Sequence, residues 1–338
     1  MNKSEIPKIL VDWYEINGRK NLPWQVKDTY YVWISEIMLQ QTQVVKVIDY
    51  FNNFIQYFPS LEYLSNADVD DVLKHWSGLG YYNRARNIHK TAIICSEKHN
   101  NELPNDIDEL IALPGIGRTT AGAILSLSLD LSYPILDGNV KRVMSRVFAL
   151  SAEKPSQLMN KLWEKVESIM PTQNARKYNQ SLMDLGSMVC KRSQPNCQEC
   201  PLSKNCQAYL NNQIDKYPQK NKKVKQIALT QHALMIVNEK NIYLEKRQEI
   251  GIWPQLWFLP LFDSNNQLMK FVSGLPTEIV KQFSVDHILT HRKLLINVSV
   301  VGWSESLNLK GKWQNVTDFK SIPHPTALKK IMKSYNMY

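Results

Sequence analysis

Apolar residues recur at helical spacing through most of the first 210 positions of the chain. Ile6, Leu10 and Trp13 fall on one face of a first helix, and Gly18 is suited to end it. Asn139 is suited to cap a later helix. The same patterns predict further helices over residues 32–40, 44–57, 70–76, 82–98, 106–113, 119–129, 139–150, 159–170 and 175–189. We therefore predict an all-α domain over residues 1–212.

The hydrophobic period changes after a polar, lysine-rich stretch at residues 213–227, which we interpret as a basic linker. Beyond it, Leu234 and Ile236 alternate with other residues as in a strand, and residues 238–241 are typical of a turn. Residues 288–301 are rich in β-branched side chains, while residues 267–272 and 326–335 have helical patterns. Residues 228–338 are therefore predicted to form a separate α+β domain, which makes the protein multi-domain.

Length and charge narrow the classes of function. A chain of 338 residues is long enough for two hydrophobic cores. A net charge of +10 favours a polyanionic partner, although a soluble basic protein without such a partner can have the same excess of positive charge. Residues 121–131 form the longest apolar stretch and are too short to span a membrane, and residues 1–8 lack an apolar export signal. We therefore expect an unexported, cytoplasmic protein that does not act at a membrane.

Four of the five cysteines lie close together, at Cys190, Cys197, Cys200 and Cys206. In an unexported chain such clustering indicates a metal site rather than disulfides. The spacing C-x6-C-x2-C-x5-C suits an iron–sulfur cluster, but spacing alone leaves structural zinc open. The fifth, Cys95, is predicted to be a small buried residue.

A glycine-containing turn, Leu113-Pro-Gly-Ile-Gly-Arg-Thr-Thr-Ala, separates two helical patterns. Gly115 and Gly117 would let the backbone approach an anion closely, and the following helix N-terminus would favour negative charge. The pattern predicts a helix–hairpin–helix that grips phosphate without reading bases, although an ordinary helix–helix turn would have the same residues.

Two carboxylates are candidates for acid–base chemistry. Glu36 lies in an apolar helical run, where a carboxyl group can have a raised pKa, and it shares a helix face with Gln40. Asp137 precedes a helix, whose first N–H groups would keep it ionised. Cleavage of an N-glycosidic bond needs an acid for the leaving base and a carboxylate near the developing positive sugar. Taken alone, Glu36 is more typical of a solvated helix glutamate, and Asp137 of a capping aspartate, than of catalytic residues.

Five motifs occur together in order: SEIMLQQTQV, GLGYYNRARN, LPGIGRTTAGAIL, ILDGNVKRV and the cysteine cluster. Together they resemble the A/G-specific adenine DNA glycosylase (MutY) family of the endonuclease III superfamily. The resemblance implies an all-α helix–hairpin–helix core and a [4Fe-4S] cluster on the four cysteines. It also implies a monomer that excises adenine mispaired with 8-oxoguanine or guanine in double-stranded DNA, at the bacterial nucleoid.

The resemblance assigns roles by position. Glu36 resembles the acid that protonates adenine, Asp137 the carboxylate that stabilises the sugar cation, and Asn139 an assisting residue. Trp24 and Gln180 fall in segments that line the adenine pocket. The residues that fill or wedge the duplex when adenine is flipped out correspond to Gln40, Gln41 and Tyr81.

Thr119 occupies the position where strand-cutting relatives carry a Schiff-base lysine. A threonine cannot form that imine, so the sequence predicts a monofunctional glycosylase, in which Thr119 can contribute a hydrogen bond.

Residues 250–260 resemble the start of a Nudix-type domain, which in the family recognises 8-oxoguanine. The chain lacks the glutamate-rich helix of a nucleotide hydrolase, so hydrolysis of nucleotides is not expected. The family's recognition loop reads Phe-Ser-His, whereas here it reads Leu289-Thr290-His291. We therefore predict hydrogen-bonding roles for Thr290 and His291 without an aromatic stack.

Two other functions are alternatives to a monofunctional adenine glycosylase. A glycosylase that also cuts the strand is disfavoured by Thr119, and a non-catalytic lesion sensor is disfavoured because Glu36 and Asp137 are both present.

Overall fold

The computed structural model describes residues 5–219, 226–289, 291–303 and 311–337. By packing, the chain divides into two units. The first comprises Met1–Ala67 with Arg86–Lys222, and the second comprises Asp68–Ala85 with Lys223–Tyr338. No helix in the described ranges is both long and apolar enough to cross a membrane.

Helices account for the regular structure up to residue 210. They are α1 (Glu5–Asn17), α2 (Thr29–Leu39), α3 (Val44–Tyr57), α4 (Leu61–Ser65), α5 (Val69–His75), α6 (Asn83–Lys98), α7 (Ile107–Ala112), α8 (Arg118–Leu129), α9 (Gly138–Val147), α10 (Pro155–Ser168), α11 (Ala175–Met188) and α12 (Gln207–Leu210). The helical prediction is confirmed, although several helix bounds differ by one to four residues. α10 begins four residues before the predicted start because Pro155 occupies its first turn, and α4 and α12 were not predicted.

The first unit is held together by packing between helices that are distant in sequence. α2 packs on α8, while α11 packs on α1, α8 and α9. One apolar core joins Leu10 of α1, Met144 of α9 and Leu182 of α11, and it also includes Leu202 and Cys206 of the cysteine loop. The cysteine loop therefore shares its core with α9, the helix that follows Asp137.

The second unit contains a twisted mixed sheet. Its strands are β1 (Ile227–Asn238), β2 (Asn241–Lys246), β3 (Trp257–Phe258), β4 (Leu261–Phe262), β5 (Ile279–Ile288), β6 (Arg292–Gly302) and β7 (Lys312–Asn315), with helices α13 (Asn265–Val272) and α14 (Thr326–Ser334). The central order is β3-β2-β1-β6-β5, with β1 and β6 parallel. The predicted α+β class and both predicted helices are confirmed.

Both faces of β1 are covered. Ala233 and Met235 pack into a core with α14, while Leu234 and Ile236 pack with α13 on the other face. The predicted alternation is therefore real, but neither face is exposed over this stretch, as expected for a strand that pairs in parallel with its neighbour.

Candidate active site

Glu36 lies on α2 between residues that are almost entirely buried. Asp28 begins this helix by accepting hydrogen bonds from the N–H groups of Tyr30 and Tyr31. Ile34 and Ile37 beside Glu36 are 0% and 3% exposed. Burial, and secondly the negative charge of Asp137, raise the pKa of Glu36 to about 8. This carboxyl group therefore carries its proton at neutral pH.

Asp137 is the N-cap of α9, and Asn139, the other residue that the sequence offered as a cap, lies in the first turn of the helix. Its carboxylate accepts a hydrogen bond of 2.7 Å from the Val140 N–H and one of 3.0 Å from the Asn139 side-chain amide. An aspartate oxygen reaches the third N–H of a helix from the cap position, which explains why the helix begins at Gly138. The pKa of Asp137 is nevertheless raised because burial outweighs these hydrogen bonds, which act to lower it.

Arg142 holds Asn139 in place on α9. Its guanidinium donates to the side-chain oxygen Oδ1 of Asn139 at 2.9 Å and to the backbone carbonyls of Cys190 and Gly186. A Cβ at Gly186 would lie 2.6 Å from the Asn139 Cβ, so only glycine permits α11 to approach this closely. Sequence reasoning missed Arg142, although it is a cation one helical turn after Asn139.

A cavity of about 270 Å³ opens beside α2, lined by Val32, Trp24 and Gln180 among others. Val32 lies one helical turn before Glu36 on the same helix face, although Glu36 itself does not line the cavity. The indole of Trp24 is 5% exposed and is fixed by an edge contact with Phe51 at 5.3 Å between ring centroids. The structure thus brings together both residues predicted for a base pocket.

Asp184 fixes the side chain of Gln180. The Gln180 amide nitrogen donates to the Asp184 carboxylate at 3.0 Å, and Asp184 is 0% exposed. The same carboxylate accepts hydrogen bonds from the backbone N–H and guanidinium of Arg19 at 2.8 Å and 2.9 Å. Sequence reasoning missed Asp184 and Arg19; the spacing of four between Gln180 and Asp184 was the available signal.

The predicted hairpin lies between α7 and α8. Gly115 has φ +80, and a Cβ there would lie 2.8 Å from the Asn87 Cβ, so glycine is required. The Thr91 hydroxyl donates to the Pro114 carbonyl at 3.0 Å and anchors the turn. Gly117 caps α8 without a side-chain hydrogen bond, and a Cβ there would meet no atom within 4 Å. The backbone at the start of α8 is thus accessible to an anion.

Thr119, Gln40 and Gln41 lie at helix ends in the first unit. The Thr119 hydroxyl donates to the Leu136 carbonyl at 3.3 Å, directly before Asp137. Gln40 caps the C-terminus of α2, and its amide is 3.5 Å from the Thr120 hydroxyl. Gln41 is exposed and has φ +58, so its side chain projects from a tight reversal of the chain.

Three other predicted residues belong to the second unit. Tyr81 is 48% exposed, with φ +52. His291 is exposed in the β5–β6 hairpin, whereas Thr290 lies outside the described residues. Leu289, where the family loop usually has an aromatic residue, is half-buried against the core beneath the sheet. Sequence reasoning did not identify β5 as the first strand of this hairpin.

The four clustered cysteines surround one cleft between α9 and the loop after α11. Arg146, which is 2% exposed, donates to the Cys190 sulfur at 3.3 Å and to the Lys191 carbonyl at 2.8 Å. Burial, with a smaller contribution from the neighbouring cysteines, raises the pKa of Cys200 to about 12. To ionise at neutral pH, the buried thiol of Cys200 therefore needs nearby positive charge in addition to that of Arg146. The buried Cys95 lies apart from this cleft, as predicted.

This donor set fits a polynuclear cluster. Within the described ranges, no three histidine, cysteine or carboxylate side chains converge on the position of a single metal ion. In a four-iron cluster each iron takes its own thiolate, so the ligands surround a volume instead of meeting at one point. A cleft lined by four thiols meets that requirement.

Comparison with known proteins finds a matching family for residues in each of the two units. Residues 34–168 match the family described as HhH-GPD superfamily base excision DNA repair protein, and residues 232–334 match the NUDIX domain. The first unit resembles the structure of a thermostable thymine-DNA glycosylase, with a TM-score of 0.57, 25% identity and coverage of 62% of this chain and 97% of that one. A non-covalent endonuclease III–DNA complex shares the fold, with a TM-score of 0.54 at 22% identity over 63% of this chain and 98% of that one.

A relative with similarity over its whole length is the adenine DNA glycosylase of Buchnera aphidicola subsp. Baizongia pistaciae, which is 42% identical over 97% of each chain. The match over nearly the full length, together with the HhH-GPD and NUDIX matches, shows that this chain belongs to the adenine DNA glycosylase family of base excision repair enzymes.

Proposed function

We propose that the enzyme hydrolyses the N-glycosidic bond of adenine mispaired with 8-oxoguanine or guanine in double-stranded DNA, in the cytoplasm. The observation that carries this proposal is the burial of Glu36 on α2 near the like-charged Asp137, which together raise the pKa of Glu36 to about 8. One carboxyl group then remains an acid while the other can be a carboxylate, as the cleavage of a glycosidic bond requires.

Glu36 supplies the proton. Adenine leaves poorly as an anion, and protonation of its ring by a positioned acid lowers that barrier. An acid with a pKa near the working pH is most effective, because a large fraction of it is protonated and it is still strong enough to donate its proton. In this assignment Glu36 donates its proton to the base as the bond to the sugar breaks.

Asp137 stabilises the sugar. As the base leaves, positive charge develops on the deoxyribose, and a nearby carboxylate lowers the energy of that state. The hydrogen bonds from Val140 and Asn139 fix the carboxylate before the substrate arrives, so no reorganisation is needed during the reaction. Water completes the hydrolysis, and Thr119 offers no amine for a Schiff base, which supports a monofunctional enzyme.

The cavity beside α2 is the proposed adenine pocket. Its volume exceeds that of a purine base, and the Trp24 ring provides a flat apolar wall. Because the Gln180 amide nitrogen is committed to Asp184, its carbonyl oxygen is the end that remains for a ligand. A carbonyl accepts from an exocyclic amino group such as that of adenine and repels the oxygen of a 6-keto purine.

Duplex DNA is gripped by the hairpin and opened by exposed side chains. Gly115 and Gly117 would present backbone N–H groups to a phosphate at the start of α8. The target bond is inaccessible in a stacked helix, so adenine must leave the stack. Gln40, Gln41 and Tyr81 are the proposed side chains that occupy the space it vacates.

Cys190, Cys197, Cys200 and Cys206 are proposed to hold a [4Fe-4S] cluster with a structural role. The cluster would supply positive charge to the four thiolates and fix the loop that carries Lys191 and Arg192. Arg146 of α9 would orient this loop through its hydrogen bonds to the Lys191 and Arg192 carbonyls.

The second unit is proposed to read the base opposite adenine. That base cannot be sensed in the adenine pocket, because adenine has left the helix. The hairpin loop with Thr290 and His291 offers a hydroxyl and an imidazole, which can bond the carbonyl and N–H that distinguish 8-oxoguanine from guanine.

The test is incubation of the full-length protein with duplexes that contain one 8-oxoguanine·adenine, guanine·adenine or 8-oxoguanine·cytosine pair. Alkali should cleave the adenine strand of the first two duplexes only, and no cleavage should occur without alkali. Cleavage of the 8-oxoguanine strand, or of no strand, would overturn the proposal.

A further inference from the structure

A hydrogen bond and an ion pair are among the contacts that fasten the segment Asp68–Ala85 within the second unit. The Tyr82 hydroxyl donates to the backbone carbonyl of His324 at 2.6 Å. The Lys246 ammonium lies 2.8 Å and 2.7 Å from the two Asp70 carboxylate oxygens. The ion pair is partly exposed and is therefore the weaker of the two contacts, whereas the short hydrogen bond of Tyr82 is the more specific attachment.

The backbone next to Tyr82 has a defined, unusual shape. Gly80 and Tyr81 both have positive φ, +84 and +52. The Gly80 carbonyl accepts hydrogen bonds from the Trp76 indole at 3.0 Å and from the Arg84 guanidinium at 3.1 Å. The Arg84 guanidinium also lies 5.4 Å from the centre of the Tyr81 ring. The Tyr81 ring thus contacts Arg84 on one side, while 48% of the residue remains exposed.

The other end of the Tyr82 hydrogen bond is rigid. His324 is 2% exposed and packs edge-on against Phe319 at 5.4 Å. It lies two residues before α14, which packs on β5, the strand that leads towards Leu289. A chain of contacts therefore runs from β5 through α14 to the His324 carbonyl and Tyr82.

We propose that Tyr82 is a positioning residue that couples the proposed recognition loop to the Tyr81 ring. Through its hydroxyl, Tyr82 holds the Gly80–Tyr81 bend at a fixed place on the second unit. The ring would then enter the duplex productively only when the loop is seated on the lesion. This inference rests on the proposed function, in which Tyr81 wedges the duplex and residues 289–291 read 8-oxoguanine.

The test compares Tyr82→Phe, which removes only the hydroxyl, with Tyr63→Phe, a matched change at a tyrosine that is 62% exposed in the first unit. The measured quantity is the ratio of single-turnover excision rates for adenine opposite 8-oxoguanine and opposite guanine. Loss of one hydrogen bond should lower this ratio about threefold to tenfold in Tyr82→Phe. Tyr63→Phe should keep the wild-type ratio.

A second arm separates coupling from a merely structural effect. Tyr81→Ala should also lower the ratio, and adding Tyr82→Phe to it should lower the ratio no further. Independent, multiplying effects would overturn the proposal, as would an unchanged ratio in Tyr82→Phe. If Tyr82→Phe lowers the melting temperature, Lys246→Gln provides the second variant, with an expected decrease of about twofold; an unchanged ratio there counts against the coupling. Failure of the wild type to excise adenine would instead overturn the proposed function.

Discussion

The side-chain amide of Gln180 donates a hydrogen bond of 3.0 Å to the carboxylate of Asp184, which has no exposed surface. A buried carboxylate accepts hydrogen bonds and donates none, so the amide nitrogen and not the carbonyl must face it. Arg19 prevents Asp184 from moving away by binding the same carboxylate through its backbone and its guanidinium. The orientation of an otherwise symmetric-looking amide is therefore set by residues outside the cavity.

This arrangement predicts how the enzyme distinguishes purines. The wild type should excise adenine much faster than hypoxanthine, which carries a 6-keto oxygen where adenine has an amino group. Gln180→Leu removes the acceptor and should reduce that preference by about tenfold or more, since one good base contact contributes about 1–3 kcal/mol. The ratio of single-turnover rates on the two bases measures the effect. Gln173→Leu at an exposed position is the control, and an unchanged ratio in Gln180→Leu would remove this residue from recognition.

Glu36 predicts the alkaline limb of the pH profile. In the proposed mechanism the protonated form of Glu36 is the active one, and burial raises its pKa to about 8. The value of kcat/KM for adenine excision should therefore fall as pH rises through about 8. A profile that stays level up to pH 9.5 would show that another group supplies the proton.

The same carboxyl group predicts a dependence of stability on pH. In the native state Glu36 keeps its proton up to about pH 8, whereas in the unfolded chain it loses it near 4.5. The native state binds more protons between these values, so this contribution to the free energy of unfolding is complete below 4.5 and is lost as pH rises towards 8. Glu36→Gln should show a flatter dependence than the wild type in chemical denaturation, and Glu62→Gln at the surface should not.

Thr119→Lys should confer strand cleavage. The Thr119 hydroxyl bonds the carbonyl of Leu136, which precedes Asp137, so a lysine here would lie beside the reacting sugar. Its amine could form a Schiff base with the sugar carbon after the base has left. Borohydride should trap this variant on DNA but not the wild type. Normal base release without trapping would place residue 119 away from the sugar.

Purified protein should be brown and contain iron and sulfide. Cys197→Ser should lose iron and weaken DNA binding, because the cysteine loop shares its core with α9. Cys95→Ala is the matched control, since Cys95 lies outside the cysteine-lined cleft, and it should retain the full iron content. Zinc without iron in anaerobically prepared protein would contradict the assignment.

The sequence was informative where a pattern is local. Helix periodicity and the position of Gly115 in a turn depend on neighbours in the chain, and the structure agrees with these predictions. The sequence offered both Asn139 and Asp137 as caps of α9, because both residue types cap well and only the geometry of the Val140 N–H decides between them.

Contacts between distant segments could not be predicted from one sequence. Arg19 and Asp184 are 165 positions apart, and neither has a periodic or motif signal that would pair them. The packing of Asp68–Ala85 with the second unit depends likewise on Tyr82 and His324, which are 242 positions apart. Burial, which decides the pKa of Asp137 against its hydrogen bonds, is also a property of the whole fold.

The central claim is that Glu36 protonates the departing adenine, and single-turnover excision by Glu36→Gln tests it most directly. The substrate is a duplex with one 8-oxoguanine·adenine pair, and binding to that duplex is measured alongside. The amide keeps the size of the side chain but has no acidic proton, so excision should slow by about 10²–10⁴-fold while binding stays near the wild-type level. A variant that excises adenine at the wild-type rate would contradict the account.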